Sequence, residues 1–342
     1  MPKKILILVK ENASYGTYGY FSTGLFTSAS FIKNALKFYF NLQVIVEKAI
    51  DGNDIDRRVY KHKPTHCILE AIWATPAKLL ELAKLHPKVQ WIVRIHSKTT
   101  FLANEGNAIS WIKQYSDIAN ETGNVRVAFN AKETYEEFKK LHIHSLYLPN
   151  FYFPDKEEHK HIHHSCFDDK HGVHISSFGA LRPMKNQLIQ AIAAIEYADS
   201  IGKKLYFHIN GTRTEQKGEQ VLKNINALFE NSRHELVAWP WLSHEEFCSL
   251  IKKMDLSMQL SLSESFNIVT ADAVYNNVSV LSSNEVSWLP CFNKTSVSDT
   301  QKIIRKIKLV LKFKTIFLVF AKLSLENWNV GAYIVWRKYL NR

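Results

Sequence analysis

Two acidic residues, Glu264 and Asp272, lie at a predicted strand-to-helix junction in the second half of the chain. A buried strand is predicted over 256–260, a serine-rich turn follows it, and a helix is predicted over 266–276. The offset of eight residues between the two carboxylates corresponds to about 12 Å along a helix axis. This separation suits one carboxylate near a reacting sugar and the other at the hydroxyls of a ribose.

The start of this predicted helix is a candidate phosphate site. The first N–H groups of a helix have no acceptor inside the helix, and they bind anions well. Here these groups belong to Phe266, Asn267, Ile268 and Val269. We therefore predict that a phosphate of the ligand lies against these four residues.

Cationic side chains follow a strand predicted over 173–178. The chain leads from this strand through Gly179 to Arg182 and Lys185, just before a helix predicted over 186–200. Positive charge at such a place suits a ligand group that carries or develops negative charge. Gly179, Arg182 and Lys185 are therefore candidate ligand-binding residues.

Three further residues are candidates for the ligand site. Gly211 follows a strand predicted over 204–209, and Gly24 lies in a Ser-Thr-Gly-Leu loop at 22–25. A glycine in such a loop lets the backbone approach a ligand closely. His96 comes directly after a predicted strand, at the carboxyl end where these sheets bind ligands.

The elements that must position these residues alternate regularly along the chain. In the first half, strands are predicted at 5–9, 43–47, 65–69, 90–95, 125–129 and 146–148, with helices such as 76–85 and 132–141. In the second half, strands are predicted at 173–178, 204–209, 235–238, 256–260 and 278–282, with helices at 186–200, 216–231, 243–254 and 266–276. This alternation indicates βαβ units with parallel sheets.

A length of 342 residues exceeds what one hydrophobic core usually supports, so two domains are expected. The segment 155–171 is polar, charged and rich in histidine, which is typical of a linker. We predict a first α/β domain over 1–150, a linker over 151–172, a second domain over 173–325 and a final helix over 326–342.

The segment around Glu264 resembles the signature of glycosyltransferase family 4, a family of retaining GT-B enzymes. The family pattern Ser-x-x-Glu-x-Phe-Gly corresponds to residues 261–267, with Asn267 in place of the glycine. The second glutamate of the family corresponds to Asp272, and its Gly-x-Pro-Val turn corresponds to the Asn-Val-Ser-Val sequence at 277–280.

A second block, at 179–186, resembles the Gly-Arg-x-x-x-x-Lys-Asn element of the same family. Lys185 matches its lysine, whereas Ala180 stands at the arginine position and Arg182 is the candidate substitute. Weaker similarities occur at 22–25, 94–97 and 210–213, and the segment from Glu326 resembles the last helix of the family.

The resemblance implies a GT-B fold, in which two Rossmann-like domains face a cleft and the last helix crosses back to the first domain. It implies retaining transfer from a nucleotide sugar, a UDP-sugar, without a divalent metal. In this family Glu264 and His96 would be catalytic, and Lys185 with Arg182 would stabilise the departing nucleoside diphosphate. The phosphate-site and glycine residues named above would bind the donor together with Asp272. A non-catalytic nucleotide-sugar-binding protein is the alternative, because Ala180, Asn267 and Asp272 depart from the pattern.

No metal site is predicted. The linker holds His159, His161, His163, His164, Cys166 and Asp168, but their spacing is not that of a closed zinc site. The four cysteines are too far apart in sequence for a metal knuckle or a redox pair, so free thiols in the cytoplasm are expected.

The net charge of +12 is unevenly distributed. Residues 1–150 carry 20 basic and 13 acidic residues, 151–298 carry 14 and 17, and 299–342 carry 10 and 2. If the tail packs on the first domain, the two together form a basic surface where the acceptor would bind, and this surface includes Lys306, Lys308 and Lys312. It suits an anionic acceptor, either a glycan or lipid-linked glycan at a membrane or envelope surface, or hydroxymethylated DNA as in phage-type enzymes.

No membrane-spanning segment is predicted, because the apolar runs at 5–9 and 316–321 are much shorter than the roughly 20 residues that a spanning helix needs. We expect a cytoplasmic protein, with peripheral membrane contact or a viral origin in a host cytoplasm as open alternatives.

Overall fold

The chain divides into two α/β units, and the division falls inside the last helix. A computed structural model describes residues 3–11, 23–155 and 162–341. Unit 1 comprises Met1–Asp155 and Trp328–Arg342, and unit 2 comprises Lys156–Asn327. Three residues of the sequence-based predictions, Ser22, His159 and His161, lie outside the described residues.

Unit 1 is built on a six-stranded sheet whose strands are all parallel, in the order β2-β1-β3-β4-β5-β6. Its strands are β1 Lys4–Lys10, β2 Gln43–Ala49, β3 His66–Glu70, β4 Gln90–Ile95, β5 Val125–Phe129 and β6 Ser145–Tyr147. Its helices are α1 Thr23–Phe40, α2 Gly52–His62, α3 Pro76–Leu85, α4 Thr99–Leu102, α5 Ala108–Thr122 and α6 Lys132–Lys140.

Local sequence signals account for several of these elements. The apolar run 5–9 forms the centre of β1 and is buried throughout, as expected for a parallel strand covered on both faces. Asp51 caps α2 by accepting hydrogen bonds from the N–H groups of Asn53 and Asp54. Helix α3 begins with Thr75 as its cap and Pro76 in the first turn.

Unit 2 is built on a five-stranded parallel sheet in the order β11-β10-β7-β8-β9. Its strands are β7 Val173–Ser176, β8 Leu205–Asn210, β9 Glu235–Trp239, β10 Leu256–Gln259 and β11 Ser279–Ser282. Its helices are α7 Gln187–Ser200, α8 Gly218–Phe229, α9 His244–Ile251, α10 Ile268–Tyr275, α11 Thr300–Lys312 and the first part of α12 Lys314–Leu340. The predicted linker contains a 3-10 turn, Ser165–Asp168, whose Cys166 is buried.

The second part of α12 packs into unit 1. Trp336 is fully buried in the cluster that also contains Ile5 and Ile7 of β1. Its indole N–H donates to the Pro149 carbonyl at 2.9 Å. The side chain of Asn329 accepts from the N–H of Tyr152 and donates to its carbonyl, both at 2.9 Å. The helix therefore fixes the segment that follows β6.

These two parallel-sheet, Rossmann-like units and the return of α12 confirm the predicted fold class. Across the described parts of the chain, every helix is too short or too polar to cross a membrane.

Candidate functional site

Two loops of unit 2 meet at the carboxyl ends of the neighbouring strands β7 and β10. The side-chain amide of Asn186, in the loop after β7, donates to the Leu260 carbonyl at 3.2 Å. The N–H of Leu262, in the loop after β10, donates to the Met184 carbonyl at 2.9 Å. These cross-links hold the two predicted motifs together, although they are far apart in sequence.

The predicted residues Lys185 and Glu264 form an ion pair across these loops. Their side chains are only 12% and 10% exposed, so the pair is largely screened from bulk water. Burial alone would raise the pKa of Glu264, but the positive charges of Lys185 and Arg182 outweigh it and hold that pKa below its usual value. Glu264 is therefore a carboxylate that is held close to a cation.

Arg182 lies at the same edge of the sheet. Its guanidinium is 3.2 Å from a carboxylate oxygen of Glu215. Glu215 also accepts from Nε of Arg213 at 2.8 Å, and the Arg213 guanidinium stacks 4.4 Å above the Trp241 ring. Two arginines thus share one carboxylate beside the Lys185–Glu264 pair, which makes this edge of unit 2 rich in cations.

The three predicted glycines differ in what the fold requires of them. Gly179 has φ +113°, a conformation that strongly favours glycine, and its N–H donates to the Asn210 side chain at 2.8 Å. A Cβ on Gly211 would lie 2.7 Å from that of Ala238, so close strand packing requires this glycine. A Cβ on Gly24 would have no described atom within 4 Å.

Both asparagines that replace glycines of the family pattern have positive φ angles. Asn267 has φ +64° and Asn277 has φ +66°. Asparagine is the residue that tolerates this conformation best after glycine. Asn267 in addition accepts from the N–H of Thr270 at 2.8 Å and so caps α10. The two departures from the pattern therefore preserve the backbone geometry.

The predicted start of α10 was wrong by two residues. The helix begins at Ile268, because Asn267 is in the left-handed conformation and serves as its cap. Phe266 is instead buried against Trp288, whose indole N–H donates to its carbonyl at 2.7 Å. Of the four predicted phosphate-binding positions, Ile268 and Val269 provide the first two N–H groups of the helix.

Asp272 is buried on α10 and lies against α9. Its carboxylate is 3.0 Å from Nε2 of His244, and the Cys248 sulfur is 3.7 Å from the same nitrogen. One ligand atom from each of these residues lies within 4.8 Å of the others, so they are a group that could hold a metal ion. The sequence-based reasoning missed His244, although its i, i+4 spacing to Cys248 on one predicted helix was a usable signal.

Unit 1 has its own polar cluster at the carboxyl ends of β3, β4 and β6. Arg94 is fully buried and donates to the carboxylate of Glu70 at 2.8 Å and to the Leu148 carbonyl at 2.9 Å. It also donates to the side chain of Asn150. The sequence analysis named only the segment 94–97, for its His96, although Glu70 is the last residue of β3 and Asn150 follows β6.

His96 belongs to this cluster. Its Nε2 contacts the Glu70 carboxylate, and its Nδ1 lies 3.3 Å from the side-chain amide nitrogen of Asn130. Burial and the charge of Arg94 lower the pKa of His96 against the opposing attraction of Glu70. Because a carboxylate only accepts, the Nε2 proton of His96 is directed at Glu70, and Nδ1 can accept from Asn130. Nη1 of Arg94 lies 3.1 Å from the same Nε2.

A second buried group, Cys166, His174 and His208, also lies within metal-ligand distance. The Trp239 indole, which can only donate, points its N–H at Nδ1 of His208 at 3.0 Å. The His208 proton must then be on Nε2, from which it donates to Nδ1 of His174 at 3.0 Å. Nε2 has no lone pair left for a metal, so this group is a hydrogen-bonded core cluster.

The predicted acceptor-side lysines, Lys306, Lys308 and Lys312, lie on α11 in unit 2. The premise that they pack with the first domain was wrong, because only the segment from Trp328 belongs to unit 1. Unit 1 then carries 23 basic and 14 acidic residues, and unit 2 carries 21 and 18. Unit 1 remains the more basic of the two.

No known family profile matches the sequence, and no curated protein matches it. Solved structures match it over almost its whole length. Sucrose-phosphate synthase from Thermosynechococcus elongatus has a TM-score of 0.65 at 11% identity, with 99% of each chain covered. HepE from Anabaena in complex with UDP-glucose has a TM-score of 0.62 at 12% identity, covering 98% of this chain and 99% of that chain.

A UDP-forming α,α-trehalose-phosphate synthase from Burkholderia xenovorans has a TM-score of 0.62 at 10% identity, with 100% of this chain and 98% of that chain covered. At such identities the likeness establishes the fold, which is that of GT-B glycosyltransferases.

Proposed function

We propose that the protein is a glycosyltransferase that moves a sugar from a nucleotide sugar, a UDP-sugar, to an acceptor hydroxyl with retention of configuration. The observation that carries the proposal is the contact between Lys185 and Glu264 at the carboxyl edge of the unit 2 sheet. The loop that carries Glu264 leads directly into α10, so a cation, a carboxylate and a helix start all follow strands of one parallel sheet.

Unit 2 binds the donor in this proposal. Lys185 and Arg182 bind the diphosphate, and the N–H groups of Ile268 and Val269 add the positive end of the α10 dipole. Asp272 accepts hydrogen bonds from the ribose hydroxyls. Because Lys185 is paired with Glu264, a phosphate that binds here competes with this carboxylate for the ammonium group.

The transfer breaks the bond between the anomeric carbon and the phosphate oxygen and forms a bond from that carbon to the acceptor oxygen. Attack on the face from which the diphosphate departs retains the configuration without a covalent enzyme intermediate. The proton of the acceptor hydroxyl leaves with the diphosphate. Lys185 and Arg182 stabilise the charge that develops on the leaving group, and Glu264 orients the reacting groups.

The family resemblance gives His96 a role toward the transferred sugar. As a neutral imidazole fixed by Glu70, it presents a constant tautomer and orientation. Cationic side chains and helix N–H groups serve the phosphates, so the proposal needs no divalent metal.

A glycan or lipid-linked glycan is the proposed acceptor. Hydroxymethylated DNA is the alternative, and the excess of basic residues in unit 1 favours it. A non-catalytic binding protein is less well supported, because Asn267 and Asn277 keep the positive φ angles that the family glycines would supply.

The direct test measures UDP release by the purified protein from a panel of UDP-sugars. It is run with and without lipid extracts or hydroxymethylated DNA, and in the presence and absence of a chelator. Release that rises with an acceptor and persists with the chelator supports the proposal. Tight donor binding without any release would identify the non-catalytic alternative.

A further inference from the structure

A row of large apolar side chains is exposed along α11 and the start of α12. Leu309, Phe313, Ile316, Phe320 and Leu323 are each 38–55% exposed, at spacings of four, three, four and three residues. Such spacing places side chains on one face of a helix. A soluble surface seldom exposes large apolar residues in one continuous row.

The opposite side of these helices is fixed in the unit 2 core. Ile303, Ile307 and Val310 are fully buried there, and Ala321 is also buried. At the junction, the N–H of Phe313 donates to the Leu309 carbonyl at 3.0 Å, so the row continues from one helix to the next. The exposed row is therefore held facing away from the core.

The same segment is strongly basic. Residues 300–325 include seven lysines and arginines and no acidic residue. Lys308, Lys312 and Lys314 are exposed beside the apolar row. We refer to the five apolar residues and these three lysines as the α11–α12 face.

We propose that the α11–α12 face docks on an anionic phospholipid bilayer, with the helices lying in the plane of the interface. Apolar residues then enter the acyl boundary while the lysines remain among the anionic headgroups. This is an in-plane contact, consistent with helices that are too short or too polar to span a bilayer.

The charge and the apolar row together favour this occupant over two others. A second copy of the same face would bring seven positive charges against seven, with no acidic residue in the segment to offset them. Duplex DNA would satisfy the lysines but would leave Ile316, Phe320 and Leu323 against phosphates and water. Only an anionic bilayer offers both a negative surface and an apolar layer beneath it.

The inference does not depend on the proposed transferase activity, since it concerns a surface on which none of the proposed donor-binding residues lie. It gives the lysines Lys308 and Lys312, first assigned to an acceptor side, a role in membrane contact.

The test uses the full-length protein in flotation with vesicles of phosphatidylcholine and phosphatidylglycerol, and with vesicles of phosphatidylcholine alone. We expect binding to the anionic vesicles only. The triple change Lys308→Glu, Lys312→Glu, Lys314→Glu is expected to weaken this binding by about a hundredfold or more, because each cation near such a surface contributes about fivefold. The triple change Ile316→Ser, Phe320→Ser, Leu323→Ser is expected to weaken it by a similar factor.

Matched controls come from exposed residues of unit 1. One control removes comparable apolar surface by the triple change Tyr60→Ser, Leu85→Ser, Leu141→Ser. The other reverses the same number of charges by the triple change Lys88→Glu, Lys113→Glu, Lys140→Glu. Both controls should bind anionic vesicles as the wild type does. The thermal unfolding midpoint of each variant verifies that the protein is folded. UDP affinity, measured on the same variants, tests the donor site separately from the membrane contact.

A local probe makes the result independent of variant folding. An environment-sensitive dye at Phe320→Cys, in a Cys291→Ser background, should shift to an apolar signal with anionic vesicles, whereas the same dye at Tyr60→Cys should not. Equal binding to neutral vesicles, or no binding to any vesicle, would overturn the proposal. The proposal would also be overturned if the protein formed a dimer without lipid and the apolar triple change dissociated it. DNA binding that the lysine triple change abolishes and the apolar triple change does not would overturn it as well.

Discussion

Glu264 is a largely buried carboxylate whose ionisation depends on its neighbours. Lys185 contacts it directly and Arg182 acts on it through its charge. The ammonium group of Lys185, held by this carboxylate, is already oriented and largely desolvated. It can therefore exchange the carboxylate for a phosphate as its ion-pair partner with little reorganisation. This arrangement makes the two residues the most informative positions for mutation.

The change Lys185→Ala should lower turnover by about two orders of magnitude or more, because it removes a preorganised cation at the leaving group. UDP affinity should fall as well. Steady-state kinetics and isothermal titration with UDP measure both effects. The exposed lysine of α8 serves as the control, and Lys223→Ala should leave both values unchanged. Variation within about twofold for Lys185→Ala would exclude the assigned role.

The change Glu264→Gln keeps the shape of the side chain and removes its charge. We therefore expect a large fall in kcat and only a small fall in the free energy of unfolding. The folded-state pKa of Glu264 is lowered from 4.5, because Lys185 and Arg182 outweigh the effect of burial. Its contribution to stability is therefore present above pH 4.5 and is lost as the pH falls through the folded-state pKa.

Urea unfolding of wild type and Glu264→Gln over a range of pH tests this expectation. The difference between the two proteins should be constant near neutral pH and should shrink below about pH 4.5. A difference that grew on acidification would mean that the carboxyl group is protonated in the folded protein.

At the scale of elements, the turns that begin and follow α10 depend on two asparagines in the left-handed conformation. Asn267→Ala should destabilise the protein by about 2–3 kcal/mol, since it loses the cap and adds backbone strain. Asn267→Gly should cost clearly less, because glycine adopts positive φ freely and is a tolerated cap. Both changes lose the hydrogen bond that the Asn267 side chain donates to Gln259 at 3.0 Å.

Chemical denaturation of the two variants measures this contrast. Asn277→Gly, at the second positive-φ position, is the matched comparison and should also be tolerated. If Asn267→Ala were as stable as Asn267→Gly, the left-handed geometry would not be a constraint.

The sequence predicted strands and helices well where apolar runs are continuous. The bounds of β4, β5 and α3 agree with the predictions, because each is a short run bounded by polar or turn residues. The start of α10 was misplaced because local pattern does not reveal that Asn267 turns to positive φ. The expectation that the whole basic tail from residue 299 packs on the first domain failed for a different reason, since helix docking depends on distant contacts.

The candidate site was predicted in part. Lys185 and Glu264 were identified individually, and parallel strand order explains why they meet. Glu70 and Asn150, the partners of Arg94, were not identified. The sequence around Arg94 gives no sign that this charged side chain is fully buried and therefore needs partners. Their pairing requires the register of β3, β4 and β6.

At the scale of the whole molecule, unit 1 is discontinuous in sequence. Trp328, Asn329 and Trp336 bind the backbone of residues 149–152, and Asn150 in that segment holds Arg94. The last helix thus stabilises the polar cluster of unit 1 as well as its apolar core.

The change Trp336→Ala should destabilise unit 1 by about 3–5 kcal/mol, as expected for truncating a buried aromatic side chain. Hydrogen exchange should show faster opening of β1 and β6 peptides, with unit 2 peptides unaffected. Val330→Ala, at an exposed position of the same helix, should leave both units unchanged. Equal opening of the two units would show that they unfold as one body.

The discontinuity of unit 1 has a consequence for synthesis of the chain. The residues from Trp328 onward emerge from the ribosome only after all of Lys156–Asn327 has been made. At about 5–20 residues per second, this delay is on the order of ten to thirty seconds. During that interval Ile5, Ile7 and their neighbours on one face of the first sheet lack the cover of Trp336. Helix α1 covers part of this face, so a nascent chain stalled before the last helix presents the part that Trp336 would cover. Such a chain is a natural client for chaperones at the ribosome exit.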